Sequence, residues 1–216
     1  MDAISMHSSK TIYQSVLPPF KKVKIQDTAY FDLNSLQSYD VMPQIDPTDS
    51  LQTLGIFKDL KRSYEGELSI IYDQTLSPEG YQLIIDKHLI IKASTKAGSF
   101  YGMLALYKLS LLGVKLPYAK IENTPDIEER GLHLDVGRKY FSKEWIFKLL
   151  EEMAFSQLNT LQFHFSENKG FRIACEMYPE IVSEDHLSKE DVREIIEYAR
   201  KLHIQIIPSL DSPGHL

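Results

Sequence analysis

Hydrophobic positions in the second half of the chain follow a strand–helix alternation. Three short apolar runs are typical of buried strands; they are residues 131–136, 160–165 and 204–210. Helical spacing separates them: one helix is capped by Ser142 and extends to about Phe155, and the next begins at Ser188, where Asp191 completes a capping-box pattern. Alternation of this kind builds right-handed βαβ units and a parallel sheet. We therefore predict an α/β fold here, with the first three βα elements of a TIM-type barrel, which closes with about eight strands.

The first half of the chain has a different pattern. Residues 81–85 and 89–93, joined by a two-residue turn at Asp86 and Lys87, predict a β-hairpin. We expect an antiparallel sheet with helices packed on it, an α+β domain over residues 1–125 that precedes the partial barrel at 126–216. Further strands are predicted at 21–25, 30–33 and 67–72, helices at 48–62 and 98–112, a linker at 118–125, and an apolar helix stripe at Met103, Leu106, Tyr107 and Leu111.

The composition excludes several classes of protein. Hydrophobic residues make up 43% of the 216 residues and charged residues 25%, as in ordinary globular domains. The net charge of -6 argues against nucleic acid or an anionic membrane as a partner, since both require a basic surface. The chain shows neither an apolar run of roughly 20 residues nor a secretory signal pattern. The single cysteine, Cys175, cannot form an internal disulfide, so we expect a cytoplasmic protein with a packed thiol.

Polar residues gather where the three predicted strands of the second half end. In a barrel, the carboxyl ends of parallel strands face one shared mouth. Glu167 and His215 supply a carboxylate and an imidazole, a pair that can hold and tune a general acid. We expect His133, His164 and Trp145 to lie in the core. Because the His and acidic residues lack the tight spacing of metal ligands, we expect no metal site, and we expect no cofactor. The strand-end set is Asp135, Gly137, Arg138, His164, Ser166, Glu167, Asn168, Asp211, Ser212 and His215.

Three ordered segments carry a resemblance to a known family. Residues 129–138, 158–172 and 206–215 resemble the first three barrel strands, with their loops, of family 20 glycoside hydrolases, the β-N-acetylhexosaminidases. The segments 80–83 and 97–102 resemble the small α/β domain that precedes the barrel in this family. The resemblance covers roughly residues 60–216, and three motifs in the correct order make it specific.

The resemblance implies a retaining mechanism assisted by the substrate. The 2-acetamido carbonyl of the sugar attacks the anomeric carbon, in place of an enzyme carboxylate. Two acids are then needed: one orients the acetamido group and the other protonates the leaving oxygen. In the family these acids are an adjacent Asp-Glu pair after the fourth barrel strand. This chain contains no Asp-Glu dipeptide, so we expect it to be inactive alone.

The resemblance also implies roles for individual residues. Arg130 matches the arginine that binds the hydroxyls of the terminal sugar. Glu167 and His215 match an acid–His pair that hydrogen-bonds the catalytic glutamate, with Glu167 where the commoner motif has Asp. Asp211 matches a carboxylate beside that pair, and Ser209 stands where many members carry Glu.

Three interpretations remain open at this point. The first is part of a hexosaminidase that releases terminal N-acetylglucosamine or N-acetylgalactosamine from glycans. The second is a non-catalytic amino-sugar-binding module, and the third is another (β/α) barrel enzyme. The third predicted strand would be an exposed edge with uncovered apolar side chains, so we also expect self-association of the chain.

Overall fold

The computed structural model describes residues 10–214, apart from the side chains of Asp27 and Thr28. The chain divides into two compact units, Met1–Asp126 and Ile127–Leu216, one residue beyond the predicted boundary. None of the helices in the described part of the chain has the length and apolar composition needed to cross a membrane.

The first unit is built on a mixed sheet rather than the antiparallel sheet that we predicted. The strands are β1 (Lys22–Phe31), β2 (Ser38–Val41), β3 (Lys61–Arg62), β4 (Leu68–Tyr72), β5 (Tyr81–Ile85), β6 (Leu89–Ala93) and β7 (Leu116–Asn123). Along the strand order β1-β7-β5-β6-β4-β2-β3, pairing is antiparallel from β1 to β6 and parallel from β6 to β3.

The predicted linker at 118–125 is wrong, because most of it belongs to β7. This strand lies inside the sheet, between β1 and β5. Its side chains alternate between buried positions, such as Ala119 and Ile121, and half-buried ones, such as Lys120 and Glu122. Short and charged residues thus make this central strand hard to recognise in the sequence. The strand is nevertheless stable, because burial of one of its faces is sufficient.

Several predicted boundaries also change. The strands expected at 21–25 and 30–33 are one strand, β1, with a register irregularity between Gln26 and Tyr30. The first helix, α1 (Thr48–Leu54), ends at Gly55, whose φ of 64° is the left-handed conformation that favours glycine. The predicted hairpin of β5 and β6 is confirmed, but Ile85 pairs with Leu89, so its loop has three residues.

The second helix, α2 (Lys96–Ser110), packs on β5 and β6 and begins at its cap Thr95, whose side chain accepts from the Gly98 N–H. The predicted single stripe is wrong for this helix, because buried residues surround it on most sides. Leu111 follows the helix and is exposed. A helix covered in this way derives its stability from burial rather than from one amphipathic face.

The second unit confirms the predicted βαβ pattern. Its three parallel strands, in the order β12-β9-β8, are β8 (Gly131–Asp135), β9 (Thr160–His164) and β12 (Gln205–Ser209). The connecting helices are α3 (Lys143–Phe155) and α4 (Lys189–Lys201). Ser142 caps α3, and the capping box of Ser188 and Asp191 opens α4 as predicted.

The helices α3 and α4 contribute buried side chains to the core of this unit and are linked by ion pairs. Ile146 and Leu150 are fully buried, and Lys143 of α3 contacts Asp191 and Glu194 at 2.9 and 2.7 Å. Trp145 does not lie in the core as we expected. Its side chain is 43% exposed and its ring lies 4.3 Å from that of Phe141.

Candidate active site

The strand register places three polar residues in one row at the carboxyl ends of the parallel strands. Asp135 of β8 pairs with His164 of β9, which pairs in turn with Ser209 of β12. Neighbouring positions in register have side chains on the same face of a sheet. The His164 Nδ1 and Ser209 Oγ atoms are accordingly 3.0 Å apart. This row forms the floor of the candidate site.

Two loops approach each other closely above the row. After β9 the chain forms a small hairpin of β10 (Ser166–Glu167) and β11 (Gly170–Phe171). Gly137, in the loop after β8, lies against it: a Cβ atom at this position would be 2.8 Å from the Glu167 amide nitrogen and from the Ser166 carbonyl carbon. Only glycine permits this approach without a backbone shift.

The close approach brings Arg138 to two carboxylates. Its guanidinium forms ion pairs with Glu167 and with Asp135, the latter at 2.5 Å, and its backbone N–H donates to Asp135 at 2.9 Å. Partial burial raises the pKa of Asp135, but the hydrogen bonds and the charge of Arg138 outweigh it and hold that pKa below its usual range. Asp135 is therefore ionised at neutral pH.

Buried polar groups cluster around His164. The His164 side chain is 5% exposed and that of Glu167 is 3% exposed, so Glu167 is not a solvated loop acid. The His164 Nε2 atom lies 3.9 Å from Glu167 Oε1 and 3.8 Å from Asp211 Oδ2. Asp211 is held by its backbone N–H, which is 3.4 Å from Ser166 Oγ. His164 is buried as expected, but within this cluster.

The cluster offers donors of the kinds that bind divalent cations. One atom each from His164, Glu167 and Asp211 lies within 4.8 Å of the others. However, the Arg138 guanidinium already contacts the Glu167 carboxylate and places a positive charge where a cation would lie. The donor set therefore fits a metal ion poorly. Linear spacing does not reveal this cluster, because β9 and β12 bring its members together across more than 40 residues.

Arg130 lies away from the cluster. It precedes β8, so it sits at the amino end of the strand, about 16 Å from Asp135 along an extended chain. Its Nε donates to the Gln157 carbonyl at 2.8 Å, and its Nη1 donates to the carbonyls of Ile127 and Glu128. The structure thus brings Arg138, and not Arg130, to the candidate site. The rule that barrel sites lie at carboxyl ends of strands distinguishes the two from sequence.

The remaining candidate residues have mixed positions. His215 lies outside the described residues. His133 is exposed on β8, where we expected a core residue, and its ring lies 5.3 Å from that of His164. Cys175 is half-buried.

Comparison with known proteins places this geometry in a family. Residues 128–216 match the model of "Glycosyl hydrolase family 20, catalytic domain". The chain is 29% identical, over 76% of its length, to β-hexosaminidase B of Pseudoalteromonas piscicida, and 26% identical, over 99% of its length, to a β-hexosaminidase of Vibrio vulnificus. It covers 25% and 28% of these two proteins, about a quarter of their length.

Solved structures show the same relationship. The β-N-acetylhexosaminidase of Bacteroides fragilis superposes with a TM-score of 0.81 at 25% identity, over 94% of this chain and 46% of that one. The Streptomyces coelicolor family 20 enzyme, 22% identical, shares the fold with a TM-score of 0.82, over 94% of this chain and 47% of that one. The family match begins where β8 opens the parallel sheet, and the fold shared with these structures extends over both units. Residues 128–216 of this chain therefore belong to the catalytic-domain family of glycosyl hydrolase family 20.

Proposed function

We propose that this chain supplies the opening part of the active site of a β-N-acetylhexosaminidase. The intact site would release terminal N-acetylglucosamine or N-acetylgalactosamine from glycans with retention of configuration. The observation that supports this most directly is the cluster of Arg138, Glu167, His164 and Asp211 at the carboxyl ends of the parallel strands. Sites of barrel enzymes are built at that end.

The chemistry assigns supporting roles to these residues. In a substrate-assisted reaction the acetamido oxygen forms the bond to the anomeric carbon, and the leaving oxygen takes a proton from an acid. The principal acid pair has no counterpart in the chain, which contains no Asp-Glu dipeptide. Glu167, buried and paired with Arg138, is suited to position that acid together with His215. Asp211, which is half-exposed, supplies a second carboxylate beside the pair.

Arg138 takes the sugar-binding role that the resemblance had given to Arg130. Its side chain is 52% exposed, so part of the guanidinium is available to the mouth of the site while the rest holds Asp135 and Glu167. A guanidinium presents several donors in a fixed plane, which suits vicinal hydroxyl groups. Arg130, by contrast, donates to backbone carbonyls at the far end of β8.

Sugar binding by the two arginines can be compared directly. In calorimetric titrations with N-acetylglucosamine we expect Arg138→Ala to weaken binding by roughly 10- to 100-fold, the loss of one charged hydrogen bond of about 1.5–3 kcal/mol. Arg130→Ala is the matched control, and a folded form should keep its affinity. The opposite ranking would return the role to Arg130.

Catalysis needs its own test. We expect the 216-residue chain not to hydrolyse an aryl N-acetylglucosaminide, whereas a protein extended beyond residue 216 to an Asp-Glu pair should do so. Turnover by the 216-residue chain would contradict the assignment of the principal acids.

A non-catalytic amino-sugar-binding module is the alternative, favoured by the same absence of an Asp-Glu dipeptide. It predicts sugar binding without turnover in every extended form. The enzyme proposal predicts turnover once the pair is included, so the two experiments separate the two functions.

A further inference from the structure

A hydrogen-bonded chain of three side chains, Gln162, Ser209 and His164, leads along β9 and β12 into the buried cluster. The Gln162 Nε2 donates to Ser209 Oγ at 3.3 Å, and the same Oγ lies 3.0 Å from His164 Nδ1. Gln162 is exposed, whereas His164 is buried. This hydrogen-bonded chain therefore connects the exposed face of the sheet with the imidazole inside the cluster.

The hydrogen-bonding capacity of each group determines where the protons lie. A serine hydroxyl has one proton to donate and accepts through its lone pairs. Because Ser209 accepts from Gln162, its own proton is available for His164 Nδ1. A neutral imidazole that accepts at Nδ1 must carry its proton at Nε2.

The surroundings of Nε2 favour the same arrangement. The Glu167 and Asp211 carboxylates face it at 3.9 and 3.8 Å, and Arg138 and Asp135 are further charged groups of the cluster in the described part of the chain. A lone pair on Nε2 would face two negative carboxylates, whereas an N–H presents them with the positive end of its dipole.

We propose that Ser209 is a positioning residue that fixes His164 as the Nε2–H tautomer, aimed between Glu167 and Asp211. The imidazole then presents its Nε2–H to the carboxylates of the loops that follow β9 and β12. Many members of the family that this chain resembles carry Glu at the position of Ser209. A carboxylate there would accept a hydrogen bond from Nδ1–H instead and could not impose this tautomer. The role of Ser209 rests on the proposed function only for its effect on catalysis, since the tautomer itself is measurable in this chain.

The test is nitrogen-15 NMR of histidine-labelled chain, with the His164 signals assigned by their loss in His164→Gln. We expect the Nδ1 signal in the unprotonated, pyridine-like region and the Nε2 signal in the protonated, pyrrole-like region. A wild-type His164 with protonated Nδ1 and unprotonated Nε2 would overturn the proposal.

A matched pair at position 162 tests the direction of the serine proton. In Gln162→Glu the new carboxylate can only accept, so the Ser209 proton turns toward it and Nδ1 of His164 must become protonated. Gln162→Met removes the amide without adding an acceptor and should leave Nδ1 unprotonated. Because position 162 is exposed, neither variant disturbs the core. Identical spectra for the two variants would overturn the proposal.

Substitution at 209 gives the rescue experiment. Ser209→Ala should abolish the single-tautomer spectrum of His164, and Ser209→Thr, which retains the hydroxyl, should restore it. A spectrum of Ser209→Ala unchanged from wild type would contradict the role. If the tautomer responds as expected while a protein extended to an Asp-Glu pair shows no turnover, the proposed function is wrong and the role of Ser209 in positioning His164 stands.

Discussion

Arg138 and Glu167 form an ion pair between the loops that follow two neighbouring parallel strands. The Glu167 side chain is 3% exposed while that of Arg138 is 52% exposed, so the pair connects the interior of the cluster with solvent. A buried carboxylate without a partner is costly, whereas the exposed guanidinium retains its hydration. The arginine is therefore a structural requirement of Glu167 as well as a candidate for sugar binding.

Removing this charge should destabilise the second unit. We expect Arg138→Met to lower its free energy of unfolding by about 1–3 kcal/mol, because the Glu167 carboxylate then loses its guanidinium partner. Urea unfolding followed by fluorescence reports on this unit specifically, since Trp145 of α3 is the one tryptophan of the sequence. Arg193→Met is the control: Arg193 and Glu190 form a pair whose side chains are 70% and 67% exposed, and such pairs contribute little. Equal losses in both variants would contradict the structural role.

A second prediction concerns Gly137. A methyl group at this position would meet backbone atoms of Ser166 and Glu167 at 2.8 Å, and backbone cannot move aside as a flexible side chain does. We expect Gly137→Ala to cost about 1–3 kcal/mol by the same fluorescence measurement. Gly214→Ala is the matched control, because a Cβ at Gly214 meets no atom of the described, non-adjacent residues within 4 Å. A Gly137→Ala protein as stable as wild type would show that the two loops do not need this contact.

The second unit could largely be predicted from sequence because its signals are local. Ser142 and Ser188 cap the two helices as their spacing indicates, and the apolar runs form parallel strands. In the first unit β7 escaped prediction, since Lys120 and Glu122 interrupt an apolar pattern whose alternate positions are buried. Neighbouring strands supply that burial, and they are distant in the sequence.

The candidate site could be predicted as a location but only partly as a set of residues. Glu167 and Asp211 follow strands, so topology alone brings them together. The choice between Arg130 and Arg138 depends on which end of β8 each occupies. Motif resemblance indicates Arg130, at the amino end, whereas Arg138 contacts the cluster. The position of His164 between two carboxylates needed the register of β9 and β12, which no local pattern specifies.

A third prediction concerns acid stability. Hydrogen bonds from Ser188, followed by the contact with Lys143, lower the pKa of Asp191 to about 2. Because the folded pKa lies below the unfolded value, the stabilisation is complete above about pH 4 and is lost as the pH falls toward about 2. A shift of this size corresponds to up to about 2 kcal/mol, at about 1.4 kcal/mol per pKa unit.

The variant Asp191→Asn should remove this part of the pH dependence. We expect its Trp145-monitored unfolding free energy to be lower than wild type at pH 7 and to approach wild type near pH 2. Glu190→Gln, one position earlier and 67% exposed, is the control and should parallel wild type throughout. A constant difference between Asp191→Asn and wild type from pH 7 to pH 2 would show that ionisation of Asp191 does not contribute.

Self-association of this chain stays a prediction, and the structure indicates the surface to test. Within residues 10–214, the strand β12 pairs on one side only, with β9, and Pro208 removes an N–H donor from it. Beside β12, an apolar groove of about 340 Å³ runs along α4 and includes Ile196, which is 38% exposed, and Ile206. We therefore expect two copies to associate through this apolar face rather than through strand pairing.

Ile196→Glu should reduce the apparent mass in concentration-dependent light scattering, while Tyr64→Glu, at a 95% exposed position in the first unit, should not. A wild-type chain that is monomeric at all concentrations would contradict the prediction.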